Sequence, residues 1–131
     1  FMEYAIALMT GLTLFIIGLS CTLRAKDWSA WLGTLRGKES FHALPIGAFE
    51  VAFCALLLSL HQVWSGPFVL VSLIWFLGII EGTLYLLYPA ALSKVIGLFM
   101  PNCLKILPVF GIIITALGGF ILYQSWLIGA I

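Results

Sequence analysis

Four apolar runs, about Tyr4–Leu23, Leu44–Trp64, Pro67–Tyr88 and Leu107–Ile128, occupy most of this chain. Each approaches the roughly 20 residues that a helix needs to cross about 30 Å of hydrocarbon. A backbone in lipid must satisfy its own N–H and C=O groups, which leaves helices or a closed barrel. The runs lack the alternation of barrel strands, so helices are expected. Only 8% of the residues are charged and 63% are hydrophobic, too little polar surface to clothe a soluble domain. The reading is one all-α polytopic membrane domain over residues 1–131, with four transmembrane helices.

The charges orient it. The six basic residues are Arg24, Lys26, Arg36 and Lys38 after the first run, and Lys94 and Lys105 after the third. Short loops rich in Lys and Arg stay cytoplasmic, so both ends are expected outside the cytoplasm. The first run follows the acidic Phe1-Met2-Glu3 rather than a basic flank, which favours a span over a signal peptide.

The two basic loops share a pattern. Asp27 is placed to cap a helix with Trp28, Trp31, Leu32 and Leu35 on one face, and Gly37 to stop it. Tryptophans on one side, with Arg36 and Lys38 at the end, predict a helix lying in the headgroup region. After Pro89 the same spacing returns at Leu92, Val95, Ile96 and Phe99, displaced by 64 positions and accompanied by Lys94. Leu107-Pro108 repeats Leu44-Pro45 at 63, and Ile79-Ile80 repeats Ile16-Ile17 at 63. These matches predict a duplicated unit of span, interfacial helix and span, with repeat 1 at about 4–64 and repeat 2 at about 67–128. A two-span unit inserts the same way each time. The repeats would therefore be parallel, related by an axis along the membrane normal.

Small residues mark helix faces. Gly11 and Gly18 lie seven apart, hence on one side of the first span, and Gly78 and Gly82 on one side of the third. In lipid such residues let backbones approach, so all four are read as packing positions. Cys21, Cys54 and Cys103 show no CxxC spacing and are read as small hydrophobes. His42 and His61 are nineteen residues apart, about 28 Å along a helix, too far to ligate one iron within a monomer. They are read as interfacial, and no metal or cofactor is expected. No Ser-His-Asp set, HExxH or phosphate loop is present, so neither an enzyme nor a nucleic-acid binder is expected.

Two acids remain, Glu50 in the second run and Glu81 in the third. A carboxylate at the centre of a membrane helix costs roughly 2.5–3.5 kcal/mol, which makes both functional candidates. Counted from the cytoplasmic ends they share a leaflet, and they meet if the second and third spans form a hairpin. Three roles stay open. Each acid is neutral, hydrogen-bonded or paired with Arg24 or Lys105; or both contact a polar group on a partner helix; or both carry a proton or cation.

The stretch IIEGTLYLLYPAALSK, followed by an apolar helix opening near Phe110-Gly111, resembles the YjeT-type small bacterial inner-membrane proteins. The shared features fall on Glu81, Gly82, Tyr88, Pro89, Lys94 and Gly111, within roughly residues 70–126. That family has two spans and no established function. It is commonly encoded beside membrane regulators of a quality-control protease. The first half departs from the pattern, with Gly18 where the acid would stand and no counterpart of Pro89. The resemblance implies an accessory or scaffold subunit of the bacterial inner membrane, docked against a larger complex or a second copy. The alternative is a small proton- or cation-coupled transporter using Glu50 and Glu81.

Overall fold

A computed structural model of the chain describes residues 2–34, 43–66 and 68–129. These residues form α1 (Met2–Leu23), α2 (Ala25–Thr34), α3 (Ala43–Leu60), α4 (Val69–Leu87), α5 (Pro89–Phe99) and α6 (Cys103–Gly129). A 3-10 turn, Met100–Asn102, joins the last two. Among the described residues there is no strand.

Three helical stretches are long and apolar enough to cross a membrane: Glu3–Leu23, Val69–Leu87 and Ser93–Leu127. The apolar part of α3, Leu44–Leu60, is shorter, about 25 Å along its axis. The helices of the second and fourth apolar runs therefore differ in extent from the expectation. The second run leaves the helix at Leu60, so His61, Gln62, Val63 and Trp64 belong to the α3–α4 connection. The fourth begins at Cys103 rather than at Leu107, which puts Pro108 inside α6. Its ring removes one helical hydrogen bond.

The connections follow from local chemistry. Tyr88, at φ −134° and ψ 58°, stands before Pro89, whose ring disfavours helical backbone in its predecessor. Thus α4 stops, and α5 restarts with proline in its first turn. Between α1 and α2 only Arg24 leaves the helix. Its N–H still donates to Ser20 O at 2.8 Å, and its carbonyl accepts from Trp28 N at 3.1 Å. The bend therefore needs no cap, and Asp27 sits inside the first turn instead of capping it. Its carboxylate accepts from Arg24 Nε at 2.8 Å. Leu35, Arg36, Gly37, Lys38 and His42 lie outside the described residues, as does the side chain of Leu92.

The longer helices pair by their glycines. α1 runs antiparallel to α6, where a Cβ on Gly18 would meet Gly111 O at 2.7 Å and the backbone and hydroxyl of Thr115. α3 runs antiparallel to α4, where a Cβ on Gly82 would meet Gly47 O at 3.1 Å. All four glycines read as packing positions are at these crossings: Gly11 faces Leu122 and Gly118, and Gly78 faces Cys54. The two pairs join through Trp75 Nε1, which donates to Thr10 Oγ1 at 3.0 Å, while Thr10 donates to Ile6 O at 2.8 Å. Around this link pack Ile6, Ala7, Leu57, Phe68, Val71 and Ile121. At the opposite end α2 and α5 lie together, with Tyr85 buried among Leu32, Ile46 and Ile96.

Candidate functional site

Glu50 stands two turns into α3, and Glu81 six residues before the end of α4. The glycine crossing brings them together. With no side chain on Gly78, α3 approaches closely enough to put Glu50 Oε1 4.0 Å from where that Cβ would be. From there the Glu50 carboxyl and Glu81 are electrostatic neighbours across the crossing. Two carboxyls so placed repel one another when both are ionised. The single ion pair found among the described residues is Arg24 with Asp27, so Arg24 serves α2 rather than either glutamate.

The surroundings are aromatic. An open groove of about 500 Å³ is lined by Pro45, Ile46, Phe49, Glu50, Phe53, Cys54 and Trp75. Phe49 stacks on Phe53 at 5.5 Å, and Phe53 meets Trp75 edge-on at 5.8 Å. The Trp75–Thr10 bond fixes the far wall. Glu81 is exposed on α4, on the same face as the exposed Leu73, Leu77, Ile80 and Leu84. One side of a spanning helix is thus apolar apart from a carboxyl.

The other candidates fall elsewhere. Trp28 and Trp31 lie on α2, edge to face at 5.8 Å, and Lys94 is exposed on α5. Both helices are at the same end of the bundle. The three cysteines are free and buried. Among the described residues no group of three or more His, Cys, Asp or Glu is placed to hold a metal ion.

His61, read from the sequence as interfacial, is fully buried at the turn after α3. Its Nδ1 lies 2.9 Å from Ser72 Oγ. That hydroxyl also donates to His61 O at 3.0 Å and accepts from Val63 N at 3.2 Å. Polar residues inside apolar runs, Thr10 and Ser72, were the available signal, but nothing in their spacing names the partners.

No family model, curated protein or solved structure matches the chain.

Proposed function

We propose that this chain is a non-catalytic accessory or scaffold subunit. It docks in the bilayer, through the groove lined by Glu50 and the face that carries Glu81 beside it, against a transmembrane helix of a larger complex. The observation that carries this is the pair of neighbouring acids beside an open aromatic groove, with Glu81 on an otherwise apolar face. Carboxyls facing hydrocarbon are costly. A partner helix bearing a donor or a cation at their level would offset that cost and fill the groove. The resemblance of residues 70–126 to YjeT-type proteins supports an accessory role of this kind in a bacterial inner membrane.

Two neighbouring acids in apolar helices also favour a second reading, a small proton- or cation-coupled transporter. One pair of variants separates the two. Glu81→Gln keeps the shape and can still donate to Glu50, so partner recovery in mild detergent should largely survive. Glu81→Leu should lower it by about threefold, from the roughly 0.6 kcal/mol average of polar contacts between membrane helices. If flux is the function, Gln is as harmful as Leu, because neither side chain changes charge. Equal partner recovery by wild type and Glu81→Leu, with liposome flux abolished by Gln, would overturn the accessory reading.

The finer architecture belongs to the same proposal: four spans in two parallel two-span repeats, N- and C-termini outside the cytoplasm. The glycine crossings support it. Gly18 with Gly111 and Gly82 with Gly47 exchange under a displacement of 64 positions, as a two-fold axis along the membrane normal requires. This register sets Gly18 against Gly82, not against Glu81. Single cysteines at positions 40 and 65, in a chain otherwise free of accessible thiols, test the topology. Position 40 should label only from the cytoplasm and position 65 only from outside, and labelling of both from one side would defeat the four-span arrangement.

A further inference from the structure

We propose that the elbow between α1 and α2 binds the headgroup of an amine-bearing zwitterionic phospholipid. A cavity of about 350 Å³ opens there, lined by Ser20, Arg24, Asp27, Trp28 and Trp31. Its depth is set by the fold. α1 carries an apolar stretch ending at Leu23, and α2 departs one residue later, which places the elbow where hydrocarbon gives way to headgroups.

The groups match such a headgroup part by part. Arg24 uses Nε to reach Asp27 Oδ2 at 2.8 Å, which leaves its two terminal nitrogens for the oxygens of a phosphate. Asp27 keeps a second oxygen for an ammonium. Both side chains are open, at 70% and 65% exposure, so neither is committed to the protein interior. Trp28 is held in place by its Nε1 donating to Ser20 Oγ at 2.9 Å and by the edge-on contact with Trp31. The fixed indoles supply a wall that favours a cation. A phosphate and a primary ammonium joined by two carbons fit an arginine and an aspartate one helical turn apart.

The same arrangement sets a selectivity. A choline headgroup keeps the phosphate and cation–π contacts but cannot donate to Asp27. A glycerol headgroup brings no cation at all, and its net negative charge meets an arginine already neutralised by its neighbour. The expected order is phosphatidylethanolamine, then phosphatidylcholine, then phosphatidylglycerol.

The test is lipid retention by the purified full chain, measured by native mass spectrometry after exposure to an equimolar mixture of the three lipids in detergent. Wild type should retain phosphatidylethanolamine about tenfold over phosphatidylglycerol, the scale of one charge-assisted contact. Asp27→Asn should bring phosphatidylethanolamine down to the phosphatidylcholine level, and Arg24→Gln should lower all three. Lys94→Gln, on the other surface helix, should change nothing. Each variant is first shown to elute as wild type does, so that loss of retention is not loss of fold. Soluble phosphoethanolamine at the lipid's concentration should not compete, because it lacks the acyl chains that hold the headgroup at the elbow. Equal retention of all three lipids by wild type, the wild-type pattern in both elbow variants, or full displacement by soluble phosphoethanolamine would overturn the proposal.

Discussion

Gly18→Val is expected to uncouple α1 from α6. A Cβ at this position would overlap Thr115 Oγ1 and the Thr115 backbone nitrogen, and would stand 2.7 Å from Gly111 O. Two of these obstacles are backbone, so no rotamer change relieves them and the helices must separate. Separation costs more than one contact. Thr22 Oγ1, which donates to Gly18 O at 3.0 Å and reaches Pro108 O at 3.4 Å, lies in the same seam. Overpacking of a tight core typically costs about 1–3 kcal/mol, and lipid supplies no hydrophobic drive to re-form the seam. Gly82→Val should behave alike, since its Cβ would meet Val51 N at 3.0 Å and Gly47 O at 3.1 Å. Gly119→Ala is the control, with nothing nearer than 3.8 Å. Thermal unfolding in detergent should show both valine variants well below wild type and Gly119→Ala unchanged. Melting of Gly18→Val together with Gly119→Ala would contradict the seam.

Ser72→Ala should be at least as damaging. The Ser72 hydroxyl donates its one proton to His61 O, an arrangement that pairs with the Nδ1–H tautomer of His61. Removing the oxygen strands His61 O, His61 Nδ1 and Val63 N at a turn where His61 is fully buried. Buried groups left unpaired cost roughly 1–3 kcal/mol each, so the total after relaxation should reach about 2–4 kcal/mol. The same residue makes stability depend on pH. Burial lowers the pKa of His61 below its ordinary 6.5, outweighing its own backbone carbonyl and the Glu3 charge, which pull upward. The unfolded chain then binds the proton more readily. The contribution of His61 is complete above about pH 6.5 and is lost as the pH falls from there through the lower folded value. Melting at pH 8 and pH 5 should show that loss in wild type, and His61→Gln should flatten it. An unchanged slope in His61→Gln would remove His61 as its source.

Some of this was legible in the residues and some was not. The apolar runs and the two surface helices follow from periodicity, which is a local property. Hence α2 and α5 appear where Trp28, Trp31, Val95 and Ile96 predicted them. The acids were found because ionisable groups are rare in such runs, and their meeting followed from hairpin geometry alone. Helix ends were less readable. Pro108 and the Gln62–Trp64 stretch looked like boundaries, yet tertiary packing carries α6 back to Cys103 and ends α3 at Leu60. The pairing of α1 with α6 was not readable at all. A glycine face says that some backbone approaches it, not which one, so nothing in Gly18 announced Gly111. The His61–Ser72 hub was hidden for the same reason, because it depends on a three-dimensional turn between residues eleven apart.

The pairing of α1 with α6 has a consequence for synthesis. Gly18 and Gly111 are 93 residues apart, while Gly47 and Gly82 are only 35 apart. At ribosomal speeds of about 5–20 residues per second, α1 waits roughly 5–19 s for its partner to emerge, whereas α3 meets α4 within about 2–7 s. The inner hairpin is therefore assembled first, and α6 then closes the seam over α1, which was made before either of its helices. Until then the glycine stripe of α1 lies open to the bilayer and to any neighbouring helix. The nascent chain thus passes through a stage in which the pairing of α1 is decided by the clock as much as by fit.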